Sequence, residues 1–166
     1  VLLRYLGYFR FDFFGKGLVS LVQDRETARV AEQVVKEVEA MVALSEDFDD
    51  LPRAIEHASD ALGFAEVKMS FFQEDGVLGI SSDTSTRQVR EVIRWTDSQF
   101  PGYFPRDRAF SAEFPLNGLR YVYGSVNYQF LDGRQNLEVQ DEILLERIHD
   151  AISSLAGRVR RAESKA

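Results

Sequence analysis

Carboxylates are the only chemically versatile groups this sequence supplies in quantity: 27 Asp and Glu against 20 Lys and Arg, two His and no Cys. Without a thiol, disulfides, thiolate nucleophiles and cysteine-held zinc are excluded. His57 and His149 fall on separate amphipathic segments, with no paired carboxylate at ligand spacing. They are expected to be surface or helix-face residues. There is no Gly-x-Ser-x-Gly elbow and no glycine loop with lysine to cradle phosphate. The acidic break Ser45-Glu-Asp-Phe-Asp-Asp50 lacks the alternate-position ligands of a calcium loop, so helix capping and a solvated turn account for it. Most other acids fall on predicted helix faces, where choosing any two as acid and base would be arbitrary. No catalytic residue, cofactor or metal is therefore expected. A small-molecule enzyme with scattered catalytic groups is the outlying alternative.

A ligand pocket is the remaining chemical possibility, and aromatic residues carry it. The stretch 97–108 holds Phe100, Tyr103 and Phe104 among two prolines and a glycine, which describes an ordered loop. With Trp95, Tyr121 and Tyr123 these rings are candidates to line a pocket on a sheet face beneath the loop. Pinning the loop to the core is the competing role.

The elements that would position such a pocket follow from periodicity. Residues 24–45 read as a helix, with Val30, Val34, Val38, Met41 and Val42 as its stripe and Val35 and Leu44 widening it. It suits a linker helix, a dimer seam or a core helix. A second helix runs from Leu51, with Asp49 or Asp50 as cap and Pro52 in its first turn, and stops at Gly63. Ala65–Phe72 alternates as a strand, with a turn at Glu74-Asp75-Gly76 and a partner strand from Val77 to Ser81. Val89, Val92, Ile93 and Trp95 are spaced for a helix of about three turns. Strands are expected at 110–116 and 121–131, with Gly124 permitting a bulge or a close backbone approach. A last helix from Leu137 to Val159 carries Ile143, Leu144, Ile148, Ile152 and Leu155, with Arg158, Arg160 and Arg161 at its end and a frayed tail from Glu163.

The 166 residues suit one domain with an extension, and a net charge of −7 argues against nucleic acid as a partner. The chain opens Val1-Leu-Leu-Arg without an initiator Met, as a fragment of a longer protein or a processed product would. No run reaches the ~20 apolar residues of a membrane span. Residues 1–22 nevertheless stand apart, with a net charge of +2 in an acidic chain. Arg4, Arg10 and Lys16 alternate with Tyr5, Tyr8, Phe9, Phe11, Phe13 and Phe14. Rings with interleaved cations suit docking on a membrane interface or a partner protein, against the alternative of plain packing on the domain.

Two resemblances sharpen this. Glu113-Phe-Pro-Leu116, Tyr123-Gly-Ser-Val-Asn127 and Asp141-Glu-Ile-Leu-Leu-Glu146, in this element order, resemble the last third of a GAF domain. The resemblance covers roughly residues 51–159. It departs from the family in a short middle and in lacking both the Asn-Lys-Phe-Asp-Glu cyclic-nucleotide signature and a bilin-attaching cysteine. Leu6-Gly-Tyr-Phe-Arg-Phe-Asp-Phe-Phe-Gly-Lys16 resembles the segment after the last membrane span of bacterial polyprenyl-phosphate sugar-1-phosphate transferases. That likeness implies an accessory C-terminal domain of such an enzyme, not its catalytic part.

The expected fold is α+β: a small antiparallel sheet flanked by helices, GAF-like, with an aromatic and basic N-terminal extension. Its organisation is a docking segment at 1–22, a linker or dimer helix at 23–46 and a domain at 47–161. The expected role is a non-catalytic regulatory or assembly module at the cytoplasmic face of a membrane-associated bacterial protein. Helices 24–45 and 137–159 would pack together or across the two-fold axis of a homodimer, and a small-molecule ligand, if one binds, is unidentified.

Overall fold

The computed structural model describes residues 26–77, 89–98, 109–118 and 121–165. Within them the fold is α+β, as expected: three helices and a four-stranded antiparallel sheet. The helices are α1 (26–44), α2 (Leu51–Leu62) and α3 (Val139–Glu163), and the strands are β1 (Phe64–Val77), β2 (Val89–Thr96), β3 (Phe110–Asn117) and β4 (Tyr121–Phe130). The spatial order is β2-β1-β4-β3. One sheet face carries Val67, Met69, Phe71, Val126, Tyr128 and Phe130, and these join the buried side chains of all three helices in one core. The opposite face is polar, with Lys68 and Ser70 beside Asn127 and Ser125.

β2 is a correction. The spacing of Val89, Val92 and Ile93 predicts a helix, but the segment is an antiparallel partner of β1, with Val67 opposite Trp95 and Met69 opposite Ile93. Exposure alternates along it, leaving Val89 and Val92 about half exposed and turning Ile93 and Trp95 to the core. Its β-branched and aromatic content fits a pleated half-buried surface, and pairing overrides the accidental three-residue spacing. The turn expected at Glu74-Asp75-Gly76 is likewise absorbed into β1, where Gly76 and Val77 pair with Val122 and Tyr121 of β4. The partner strand expected at 77–81 lies beyond Val77, outside the described residues.

The helix stripes also shift. Ala31, Val35, Val38 and Val42 of α1 are buried, whereas Val30 and Leu44 are 55% and 84% exposed. In α3, Ile143 faces solvent at 48% and Leu145 takes a buried place. α2 runs as expected, but neither Asp49 nor Asp50 caps it with a side chain. Asp50 has helical φ and ψ, whereas a side-chain N-cap needs extended backbone. Instead Asp47 Oδ1 accepts the Asp49 amide at 2.9 Å, which closes the acidic turn on itself. The tail expected to fray at Glu163 is still helical there, because Arg90 of β2 pairs with the Glu163 carboxylate.

α2 ends at Gly63 with φ +75°, its amide donating to the Ser59 carbonyl at 2.7 Å. An added Cβ would also stand 3.0 Å from the Arg134 guanidinium. That guanidinium pairs with Asp132 and Asp141 and sits 4.3 Å above the Phe130 ring, joining the β4–α3 loop to the first turn of α3. Gly63→Ala is therefore expected to lower the unfolding free energy by about 1 kcal/mol, read as a urea midpoint shift at unchanged slope.

Candidate functional site

The aromatic residues singled out from the sequence divide between two ends of the sheet. Trp95 is half-buried at the β2 end, its ring 6.0 Å from Phe64 in an edge-to-face contact. Its backbone lies opposite Val67, which also faces Tyr128, whereas Tyr121 pairs with Val77 at the far end of β1. The structure therefore does not bring Trp95 together with Tyr121 and Tyr123. Phe100, Tyr103 and Phe104 lie outside the described residues, as do Arg4, Tyr5, Tyr8, Phe9, Arg10, Phe11, Phe13, Phe14 and Lys16.

Tyr121 and Tyr123 instead meet α3. In β4, Gly124 pairs with Leu116 and Val122 with Asn117, so Tyr123 is an extra residue with no opposite number in β3. A bulge of this kind re-aims its side chain. The Tyr123 ring lies between two glycines, since a Cβ on Gly118 would fall 2.6 Å from it and a Cβ on Gly157 3.0 Å from its hydroxyl. The Arg160 guanidinium stands 5.6 Å from its centre and also donates to the Phe72 carbonyl.

This packing leaves a groove between the β3–β4 turn and α3. Its larger lobe, about 840 Å³, is lined by Tyr121 and Tyr123 on one wall and Asp150, Ser154 and Arg161 on the other. A second lobe of about 320 Å³ runs toward the start of α3, past Phe114, Glu142, Glu146 and His149. Asn117, Asp150 and Ser153 belong to both lobes. Ser153 is 4% exposed, and its hydroxyl is buried without a hydrogen-bond partner. A hydroxyl left that way costs on the order of 1–3 kcal/mol.

His149 forms the inner wall, and its position was not legible from the sequence. It is 6% exposed, shares a 3.0 Å hydrogen bond with the Tyr128 hydroxyl through Nε2, and stacks on Phe114 at 4.8 Å. Burial pushes its pKa down to about 4, so the ring is neutral at neutral pH. Burial likewise raises the Tyr128 phenol above its ordinary value. His57, in contrast, is at the surface, 2.7 Å from the Glu37 carboxylate. Among the described residues no group of His, Asp or Glu is arranged to hold a metal ion.

Behind the groove, α3 is tied to α1. Arg147 donates to Glu39, with Nε to Oε1 at 2.9 Å. Arg158 Nη2 donates to the carbonyls of Val42, Ala43 and Ser45 at 2.9, 3.3 and 3.1 Å, which satisfies acceptors that the end of α1 leaves open. These contacts advance in the same direction along both helices. α1 and α3 thus pack together within one chain.

No helix among the described residues is long and apolar enough to cross a membrane. No family model matches the chain, and no curated protein matches it significantly.

Proposed function

We propose that the chain is a non-catalytic regulatory or assembly module of GAF-like kind, working as the cytoplasmic part of a larger membrane-associated protein. The observation that supports this reading is the attachment of α1 to α3 by Arg147 and Arg158. One side of α3 borders the groove through Asp150, Ser153 and Gly157; its other side holds the C-terminal end of α1. An occupant of the groove that favours one position of α3 therefore favours one position of α1. A ligand shifts such an equilibrium only by its differential affinity for the two positions. The cationic, aromatic segment 1–22 precedes α1 in the chain and would carry the docking on a membrane or partner. Residues exposed on the helices, Val30, Leu44, Val139 and Ile143, are the apolar surface available to a second copy.

The reading is tested at Arg158. Arg158→Met removes the three carbonyl contacts while keeping an apolar stem, and charge-assisted hydrogen bonds of this kind contribute about 1.5–3 kcal/mol. Amide hydrogen exchange at residues 42–45 is expected to accelerate at least about tenfold. Exchange at Ser153–Gly157 should rise with it. Faster exchange confined to α1, with α3 unchanged, would remove the coupling on which the proposal depends.

A further inference from the structure

We propose that the groove between the β3–β4 turn and α3 binds a linear aliphatic diammonium compound, its charged ends against Glu146 and Asp150 and one ammonium donating to Ser153. The inference rests on the reading of this groove as the module's ligand site and names the class of ligand.

Three carboxylates, Glu142, Glu146 and Asp150, follow one another at four-residue steps along the α3 wall of the groove. Four residues of helix advance about 6 Å. Like charges at this spacing repel, by a few tenths of a kcal/mol per pair. Several acids elsewhere have basic partners, among them Glu32 with Lys36, Glu39 with Arg147, Asp132 and Asp141 with Arg134, and Glu163 with Arg90. None of the three along the groove has a basic partner among the described residues. Among the described residues the one cation lining the groove is Arg161, at the far end of the larger lobe, and it forms no ion pair with the row.

The second observation is independent of charge. Ser153, one turn beyond Asp150, lies at the junction of the two lobes with its buried hydroxyl unsatisfied. Once the Ser153 side chain rotates toward the groove, an ammonium held by Asp150 can donate to that oxygen and satisfy it. His149, between the two acids in sequence, points to the Tyr128 hydroxyl and is neutral, so it supplies no competing cation. Phe114 and Pro115 give the lobe an apolar wall for a methylene chain. A four-carbon diamine, with five bonds between its nitrogens, spans about 6 Å when extended, which matches the four-residue step along the helix from Glu146 to Asp150. A single divalent cation fits less well, since its oxygen ligands must converge to about 2.0–2.6 Å.

The test is a titration of the full chain with 1,4-diaminobutane at constant ionic strength, followed by amide NMR. Saturable shifts with Kd below ~1 mM are expected at Asn117, Gly118 and the α3 amides from Glu146 to Gly157. Glu146→Gln and Asp150→Asn, both at exposed positions, should each weaken binding at least tenfold. Butylamine should bind at least tenfold more weakly, and Mg²⁺ should not saturate the same amides. Ser153→Ala should weaken binding at least threefold while raising the Tm, because it deletes an unsatisfied buried hydroxyl. Equal responses to diamine and monoamine, or shifts that bypass the groove, would overturn the proposal. A Ser153→Ala chain that gains Tm at unchanged affinity would also overturn it, since the hydroxyl would then be a packing fault. Binding with no α3 response in Arg158→Met keeps the ligand and removes the coupling; coupling without diamine binding does the reverse.

Discussion

Gly124→Ala is expected to lower the unfolding free energy by at least about 3 kcal/mol, the top of the usual range for overpacking. A Cβ built at Gly124 lies 2.1 Å from the Ser70 carbonyl oxygen and 3.1 Å from the Phe71 Cα. Both obstacles are backbone of β1, so no side-chain rotation relieves them. Gly124 pairs with Phe71 on one side and Leu116 on the other, which places the clash in the middle of the sheet. A glycine in an unstrained strand behaves oppositely, because alanine there restricts the unfolded chain and stabilises by about 0.4–1 kcal/mol. The sign of the effect is thus diagnostic. Urea unfolding should show a midpoint lowered by more than about 1 M for a slope near 2 kcal/mol/M. Ser125→Ala, at the neighbouring half-exposed position, should stay within about 0.5 kcal/mol of the parent. A loss below 1 kcal/mol at Gly124 would mean that β1 and β4 do not approach so closely.

Acid should destabilise the fold through His149. Its folded-state pKa is held at about 4 by burial, below the ordinary value of about 6.5. Between these values the unfolded chain binds a proton that the folded chain excludes, so stability rises with pH across the window. The contribution is complete above about 6.5 and falls as pH drops toward 4, by roughly 3 kcal/mol in all. The groove carboxylates Glu142, Glu146 and Asp150 act in the opposite sense, favouring imidazolium, but they are exposed while the ring faces Tyr128 and Phe114. Replacing both hydrogen-bond partners, His149→Phe with Tyr128→Phe, avoids leaving a buried hydroxyl unpaired. Chemical unfolding of parent and double variant at pH 4.5 and 7 should show the parent losing clearly more stability in acid. Equal losses would mean that His149 takes up its proton without opening the core.

Structure is legible in the sequence where the local signal and the tertiary demand coincide. α2 has an apolar stripe and a terminal glycine, and it ends in the left-handed conformation that its sequence announces. Gly124, read as permitting a close approach, is pressed against the backbone of β1. Structure is not legible where distant partners decide. Val89 and Val92 mimic helical spacing, but β1 stands ready to pair with them and an extended backbone results. Glu74-Asp75-Gly76 carries good turn chemistry, yet Gly76 and the following Val77 are claimed by β4. His149 looked like an ordinary helix-face residue because its partner, Tyr128, is on a strand twenty-one positions earlier. Alternation along β4 places Tyr123 with Tyr121, and the bulge that turns it between Gly118 and Gly157 depends on pairing in two directions at once. The groove is the product of that bulge, so its acidic wall was visible as residues but not as a site.

The order of strands also fixes a sequence of events. The centre of the sheet joins β1 to β4, with Met69 opposite Val126, so strands from early and late in the chain must meet before either is paired on both sides. Closing that span costs entropy that only later contacts return. A ribosome that has finished β2 has released a β1–β2 pair whose apolar face still lacks α3. Phe71 is met early by Phe48, which stacks on it at 4.1 Å, but the core around Val126 and Tyr128 of β4 is closed only when the twenty-five residues of α3 emerge. The vulnerable moment of this chain therefore falls between the emergence of β4 and that of α3, and whatever shields that face must act then.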